Sequence, residues 1–478
     1  MLLLLAPIPD FRTTSFIVEC IGGGRGRGGE NAAGADQVST GSHRGGGAYA
    51  EGRFYLSDCT FYQSNCFNFE NYRVDFPHFW EGGIMRDFFS AERLASKFGG
   101  RPDGGRVNQD IERLRAVAVL LVLVSHGQVL FSWLKFQQLI TGYHFQIGVD
   151  LFFVISGYVI AMSIFRELDN RDANEPTRFF LYRFWVRRAF RLLPAAIVCI
   201  AVSTALSHLV YGENLFVMLK AAFAALFNVF NFYLLHALVN GVSVGMLEPY
   251  WSLSLEEQFY VIFPLLVLVV STKRRLAMIA IAGVIGIELA FSVIPNLFWF
   301  IRFDGLCCGV LLACASPYIK KIRLPKVFGK VVGLALLAFF IPVALGYLFP
   351  VAGFFGAQTI PLACCVILVI FAVMDSDVFN FPLIGRALAY LGSRSYTVYL
   401  LHLTFFFAMG RVLLATGQEN NTLAVLLAGL SLITFMVLVE LMFRFVETPF
   451  RDYGKRVASR IKLSNSSVSS EPVKVTSS

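Results

Sequence analysis

In the stretch RLRAVAVLLVLVSH, Arg115 and His126 bracket ten residues that are apolar but for Ser125. Eleven positions on an α-helix make about three turns and about 16 Å of rise, so the two side chains lie on nearly one face. One then sits at a membrane surface and the other near mid-bilayer. An ionisable group at that depth is expensive and by default marks function, and a histidine there can move a proton at physiological pH. The bland alternative is a neutral His bonded to a neighbouring helix.

Other polar groups interrupt apolar stretches in a pattern that a passive bundle does not need. Asp150 enters one in GVDLFFVISGY, Glu256 and Glu257 begin another in WSLSLEEQFY, and Arg302 and Asp304 enter a third in RFDGLCCG. Each carries a desolvation cost unless paired. Ser395, Tyr399 and His402 fall at i, i+4 and i+7, one polar stripe on a helix otherwise Leu and Phe, where a simple helix contact is the competing reading. Ser252, Glu256 and Tyr260 share a face by the same spacing. In FWVRRAFRLLP, Arg188 and Arg191 are three apart, neighbours on a helix face, and paired guanidinium groups suit bidentate contacts to phosphate. Ordinary topological signalling explains one or two of these arginines but does not require that spacing.

The elements that must position these groups are membrane helices. Hydrophobic residues make up 56% of 478, charged residues only 15%, and mean hydropathy is +0.63, beyond what a soluble domain carries. A formal charge of +9 could suggest nucleic acid, but the Lys and Arg fall in short clusters between apolar segments, as cytoplasmic loops do, so no nucleic-acid partner is expected. The nine Cys are scattered or adjacent, with no spaced CxxC pair or His partner, and predict packing residues and no metal site.

Hydropathy places spans near 116–134, 146–165, 192–210, 254–271, 276–294, 299–316, 331–349, 354–374, 396–415 and 423–446. With the N-terminal side cytoplasmic, the inner loops collect the seven Arg from Arg166 to Arg191, the Lys273-Arg274-Arg275 run, the basic cluster from Lys320 to Lys330, and Arg451 to Lys462. That predicts an all-α polytopic bundle of about ten spans with both ends in the cytoplasm. Segment 215–235 is also apolar and would make eleven. Lys220, Asn228 and Asn231 fit it better as an interfacial or re-entrant helix buried against protein.

The flanks differ in kind. Residues 1–84 include the Gly-rich GGGRGRGGENAAGADQ and read as a disordered leader or an over-extended start, since Met85 begins a more plausible protein. Residues 85–107 read as a cytoplasmic N-terminal segment, and 454–478 as a cytoplasmic tail whose Ser-rich end, from Leu463, is expected to be flexible.

Taken in order, DIERLRAVAVLLVLVSHG, GVDLFFVISGYVI, RRAFRLLPA, WSLSLEEQFY, SYTVYLLHL and FVETPFR resemble the acyltransferase 3 family of membrane O-acyltransferases, over about residues 108–453. The resemblance implies transfer of an acyl group, most often acetyl, from cytosolic acyl-CoA to a hydroxyl, commonly on a cell-envelope or exported carbohydrate, with a carbohydrate or lipid-linked acceptor as partner. It implies acyl-CoA as co-substrate with no bound cofactor, the lipid bilayer as setting and the inner (plasma) membrane as location. The family's first-span arginine and histidine fall on Arg115 and His126, its RxxR pair on Arg188 and Arg191, its WSL-motif acid on Glu256, and its SxxxYxxH stripe on Ser395, Tyr399 and His402. Glu257 occupies a more variable position. Only 27 residues follow Arg451, so a stand-alone membrane enzyme is expected. On this reading Arg188, Arg191 and Arg115 hold the phosphates, His126 is the general base, and Glu256 or Asp150 orients its imidazole. An acyl-histidine intermediate is an alternative route. A proton-coupled secondary transporter is the rival class, but the matching halves of such carriers are not visible.

Overall fold

The computed structural model describes residues 108–127, 147–169, 177–270, 272–293, 301–322, 325–344, 349–374, 377–382, 384–415 and 421–468. The expected leader 1–84 and segment 85–107 lie outside the described residues. Every regular element among the described residues is helical. Among the described residues, five helical runs are long and apolar enough to cross a membrane by length and composition: Ile147–Asp169, Arg178–Tyr211, Tyr250–Val270, Ser395–Leu413 and Leu426–Arg460. The expected count of about ten goes beyond these five.

Helix α1 spans Gln109–His126 and starts where Asn108 accepts bonds from the amides of Asp110 (3.0 Å) and Ile111 (3.4 Å), satisfying two donors that a helix start leaves bare. Asn108 also donates to the carbonyl of Ala372 at 2.6 Å, fixing where the helix begins against its neighbour. Leu114, Ala116, Ala118 and Val119 are fully buried, so α1 is a central strut. α2 (Ile147–Asp169) crosses α8 (Asp304–Ile319) with the two backbones in contact. Gly157 faces the carbonyl of Leu306 and Gly309 faces Val154 and Tyr158, leaving no room for a Cβ at either glycine. Small residues permit such close approach in helices that lipid does not drive together.

α3 runs from Thr177 to Tyr211 as one helix. The sequence reading expected an Arg-rich loop and then a span from 192, but the basic residues, good helix formers, join the apolar segment without a stop signal. Pro194 sits inside and does not end it.

Segment 215–235 is broken. α4 (Leu215–Leu226) and α5 (Phe230–Val239) are 12 and 10 residues long, neither enough for a span. The break lies at Asn228, whose φ of 57° is a left-handed conformation that Asn tolerates better than most residues. α6 (Tyr250–Val270) satisfies the broken backbone: Ser254 accepts from the amide of Phe230 at 3.2 Å, and Gln258 donates to the carbonyl of Asn228 at 2.7 Å and to Asn231 at 2.9 Å.

The remaining helices are α7 (Lys273–Val293), α9 (Lys326–Ala344), α10 (Phe349–Val373), α11 (Gly385–Ser393), α12 (Ser395–Ala415) and α13 (Asn421–Met442). A π-turn over Phe443–Glu447 joins α13 to α14, Thr448–Val468. The segment expected as a flexible tail is therefore helical as far as Val468. α14 lies along α3, with the Phe190 and Tyr453 rings 5.3 Å apart and Gly454 against Phe190.

Candidate functional site

α1, α2, α3, α6 and α12 enclose a cleft that opens to the surface. Arg115, Arg188, Arg191, Glu256, Ser395 and Tyr399 all line it, so six residues singled out by type and spacing converge from α1, α3, α6 and α12. Its apolar wall is Val149, Phe152, Phe153, Val159, Ile160, Leu192 and Leu253.

The three guanidinium groups are held differently. Arg115 pairs with Glu112 at 3.0 Å, one turn back on α1. Arg188 lies over the rings of Tyr260 (5.1 Å) and Phe184 (5.8 Å), a cation–π seat that fixes its plane without using up its donors. The Nε of Arg191 is buried with no hydrogen-bond partner among the described residues. A buried N–H without an acceptor costs free energy, so Arg191 is primed for an anionic one.

Glu256 is engaged: Ser156 and Tyr260 both donate to it, the latter at 2.5 Å. Across the cleft Ser252 and Tyr399 share a hydroxyl–hydroxyl bond of 2.6 Å, anchored on the carbonyl of Pro249. Tyr399 leads inward to the histidines. Its ring is 5.4 Å from that of His402, and His402 is 5.0 Å from His126 at an interplanar angle of 61°. Neither histidine lines the cleft itself.

Both imidazoles are oriented by backbone. Nδ1 of His126 meets the carbonyl of Val122 at 3.0 Å and Nδ1 of His402 meets that of Tyr399 at 2.6 Å. A carbonyl only accepts, so in the neutral ring Nδ1 carries the hydrogen and Nε2 the lone pair. Nε2 of the fully buried His402 has no partner among the described residues. This corrects the expectation that Glu256 or Asp150 orients His126. Glu256 serves the hydroxyls of Ser156 and Tyr260, and Asp150 forms an ion pair with Arg302, which also faces Asp304 at 3.7 Å. Asp150 therefore belongs to a buried charge cluster beside the cleft wall. The signal was available for the histidine, because a carbonyl one turn back is always within reach of a helical side chain; the partner of Asp150 is 152 residues away and left no local trace.

Sequence reasoning gave no site role to Ser156, which touches Glu256, or to Tyr396, whose hydroxyl donates to the carbonyl of Leu192 at 2.8 Å and whose ring closes the cleft floor. Tyr260 was visible only as part of a helix face. Lone hydroxyls in apolar helices are too common to single out.

Residues 108–441 match the family model described as an acyltransferase domain, that of the acyltransferase 3 family. A protein of Staphylococcus aureus (strain COL), provisionally named an O-acetyltransferase, is 30% identical over 370 residues, covering 72% of this chain and 57% of that protein. The peptidoglycan O-acetyltransferase OatA of Listeria monocytogenes serovar 1/2a is 29% identical over 370 residues, covering 72% and 56%. YrhL of Bacillus subtilis (strain 168), provisionally named a peptidoglycan O-acetyltransferase, is 31% identical over 373 residues, covering 73% and 56%. The chain thus spans little more than half the length of these relatives. No solved structure matches. With the family's motifs gathered around one cleft and the match running through 108–441, the chain belongs to the acyltransferase 3 family.

Proposed function

We propose that the chain is a membrane O-acyltransferase that moves an acetyl group from acetyl-CoA to a hydroxyl of a cell-envelope or exported carbohydrate. One observation carries the reading: a cleft lined by Arg115, Arg188 and Arg191 leads past Tyr399 toward a histidine whose Nε2 is left as the base. The names of the Listeria and Bacillus relatives point to peptidoglycan as acceptor.

Arg188 and Arg191 would grip the phosphates of acyl-CoA, with Arg115 beside them, leaving the pantetheine arm to carry the thioester inward. His126 Nε2 would take the proton of the acceptor hydroxyl while the oxygen attacks the thioester carbonyl. The tetrahedral intermediate would collapse by breaking the C–S bond, and the departing thiolate would receive that proton from the imidazolium. Glu256, held by Ser156 and Tyr260, would shape the cleft wall, and Asp150 would act only through Arg302. The plasma membrane, with the arginines facing the cytoplasm, is the setting that supplies acyl-CoA from one side. The topology proposed for it has about ten spans, with 215–239 not crossing.

The test is transfer of radiolabelled acetyl from acetyl-CoA to the polysaccharide fraction by membranes holding equal amounts of native or His126→Ala protein. Incorporation that falls at least 100-fold in the variant is expected for a general base. Equal incorporation would remove His126 from the chemistry, and none in either would sink the reading.

A further inference from the structure

The side of α6 that faces the cleft carries Ser252, Glu256 and Tyr260, four residues apart and so stepped by about 6 Å along the helix. Each step has its own company from another helix. Arg188 lies over the ring of Tyr260, Ser156 donates to Glu256, and Ser252 is bonded to Tyr399. Tyr399 in turn stands beside the histidines. Glu256 therefore occupies the middle of the cleft, one step from the level of Arg188 and one step from the hydroxyls that lead to His402 and His126.

A carboxylate is out of place in a cleft that receives phosphates unless something else is there for it to bond. Both hydrogen bonds to Glu256 land on one oxygen, since Ser156 and Tyr260 each donate to Oε1. Oε2 makes none among the described residues. Arg188 acts on the carboxylate through space, yet among the described residues no guanidinium closes to ion-pair distance from it. A carboxylate has about four acceptor positions and no donor, so the unused oxygen suits an N–H or O–H brought by a ligand.

We propose that Oε2 of Glu256 accepts an amide N–H from the pantetheine arm of acyl-CoA, an inference that rests on the acyltransferase reading. The arm joins the phosphates to the thioester and carries two secondary amides between them. With the phosphates at Arg188 and Arg191 and the thioester near the histidines, the arm runs along this face of α6, and Glu256 stands where its amides pass. The ionised phosphates and the thioester bring no donor of their own. The carboxylate thus sets how far the arm enters: a phosphate pushed deeper meets a like charge, whereas an amide at the right depth gains a charge-assisted bond. Hydroxyls of a carbohydrate acceptor are the other donors within this chemistry, and the experiment separates the two sources.

The experiment uses the full chain in detergent and the displacement of radiolabelled acetyl-CoA by two analogues, in each of which one amide N–H of the arm is replaced by an ester oxygen. The carbonyl and the length of the arm are kept, and only the donor is lost. Native protein is expected to bind one of the two about tenfold more weakly than acetyl-CoA, the scale of one hydrogen bond to a charged group. In Glu256→Gln that preference is expected to disappear. The hydroxyls of Ser156 and Tyr260 keep the carboxamide oxygen on their side, so its NH2 stands where Oε2 stood and an acceptor becomes a donor. Removing a negative charge also strengthens phosphate binding, so the ratio of the two affinities is the readout. Native protein that binds acetyl-CoA and both analogues equally would overturn the proposal without recourse to any variant, and is the result expected if Glu256 serves the acceptor's hydroxyls. A preference that survives in Glu256→Gln would overturn it too, by placing the partner of the amide elsewhere. A native chain that fails to bind acetyl-CoA would instead remove the acyltransferase reading beneath it.

Discussion

At His126 the competence of the imidazole depends on which nitrogen the backbone claims. Because the carbonyl of Val122 takes the Nδ1 hydrogen, the basic lone pair is fixed on Nε2 without a carboxylate. The arginines divide their work in a similar way, by how much of each is already spent. Arg115 is tied to Glu112, whereas Arg191 keeps a buried N–H in reserve. Replacing Arg191 by Lys keeps the charge and loses the planar fork, so KM for acetyl-CoA is expected to rise about tenfold with little change in kcat, since the contact is remote from the reacting carbonyl. Initial rates at varied acetyl-CoA check this, and a fall in kcat alone would place Arg191 at the reaction centre. Spacing made these residues legible: Arg188 with Arg191, and Ser395 with Tyr399 and His402, were readable as helix faces. What spacing does not encode is the partner from another helix, which is why Asp150 was mistaken for an orienting group.

Between helices, the decisive joint is that of α2 with α8. Gly157 and Gly309 let the backbones touch, and Arg302, Asp150 and Asp304, all at most 4% exposed, lock the crossing near its end. Since α2 also supplies Phe152, Phe153 and Ser156 to the cleft, this joint sets the position of that wall. Arg302→Met leaves two buried carboxylates without their cation, and a loss of about 3 kcal/mol or more is expected, read as a lower unfolding midpoint of the detergent-solubilised protein. Adding Asp150→Asn to that variant is expected to restore part of the loss, because the two positions share one interaction. Additive losses would show that the pair is not coupled. Helix identity was largely legible from hydropathy, but ends were not. α3 extends back through its arginines because positive charge is a signal to the insertion machinery and no obstacle to helix formation, and the basic run from Arg451 to Lys462 is likewise helical in α14.

Across the whole molecule, the question is which segments cross. Reporter domains fused after residue 240 and after residue 274 are expected on opposite sides of the membrane, because only α6 lies between them and it is long enough to span. The same side for both would show that α6 does not cross and would overturn the ten-span assignment. Composition and charge made the polytopic class plain, while the break at Asn228 was foreshadowed only by polar residues in an apolar run. That break also has a consequence for the order in which the protein is made. The amide of Phe230, the carbonyl of Asn228 and the side chain of Asn231 find their partners in Ser254 and Gln258, which leave the ribosome after them. Until α6 arrives, the hairpin has no way to satisfy those groups within lipid, and neither half is long enough to be taken up alone. It must wait at the interface for a helix not yet synthesised, so the break at Asn228 is settled only once Gln258 has left the ribosome.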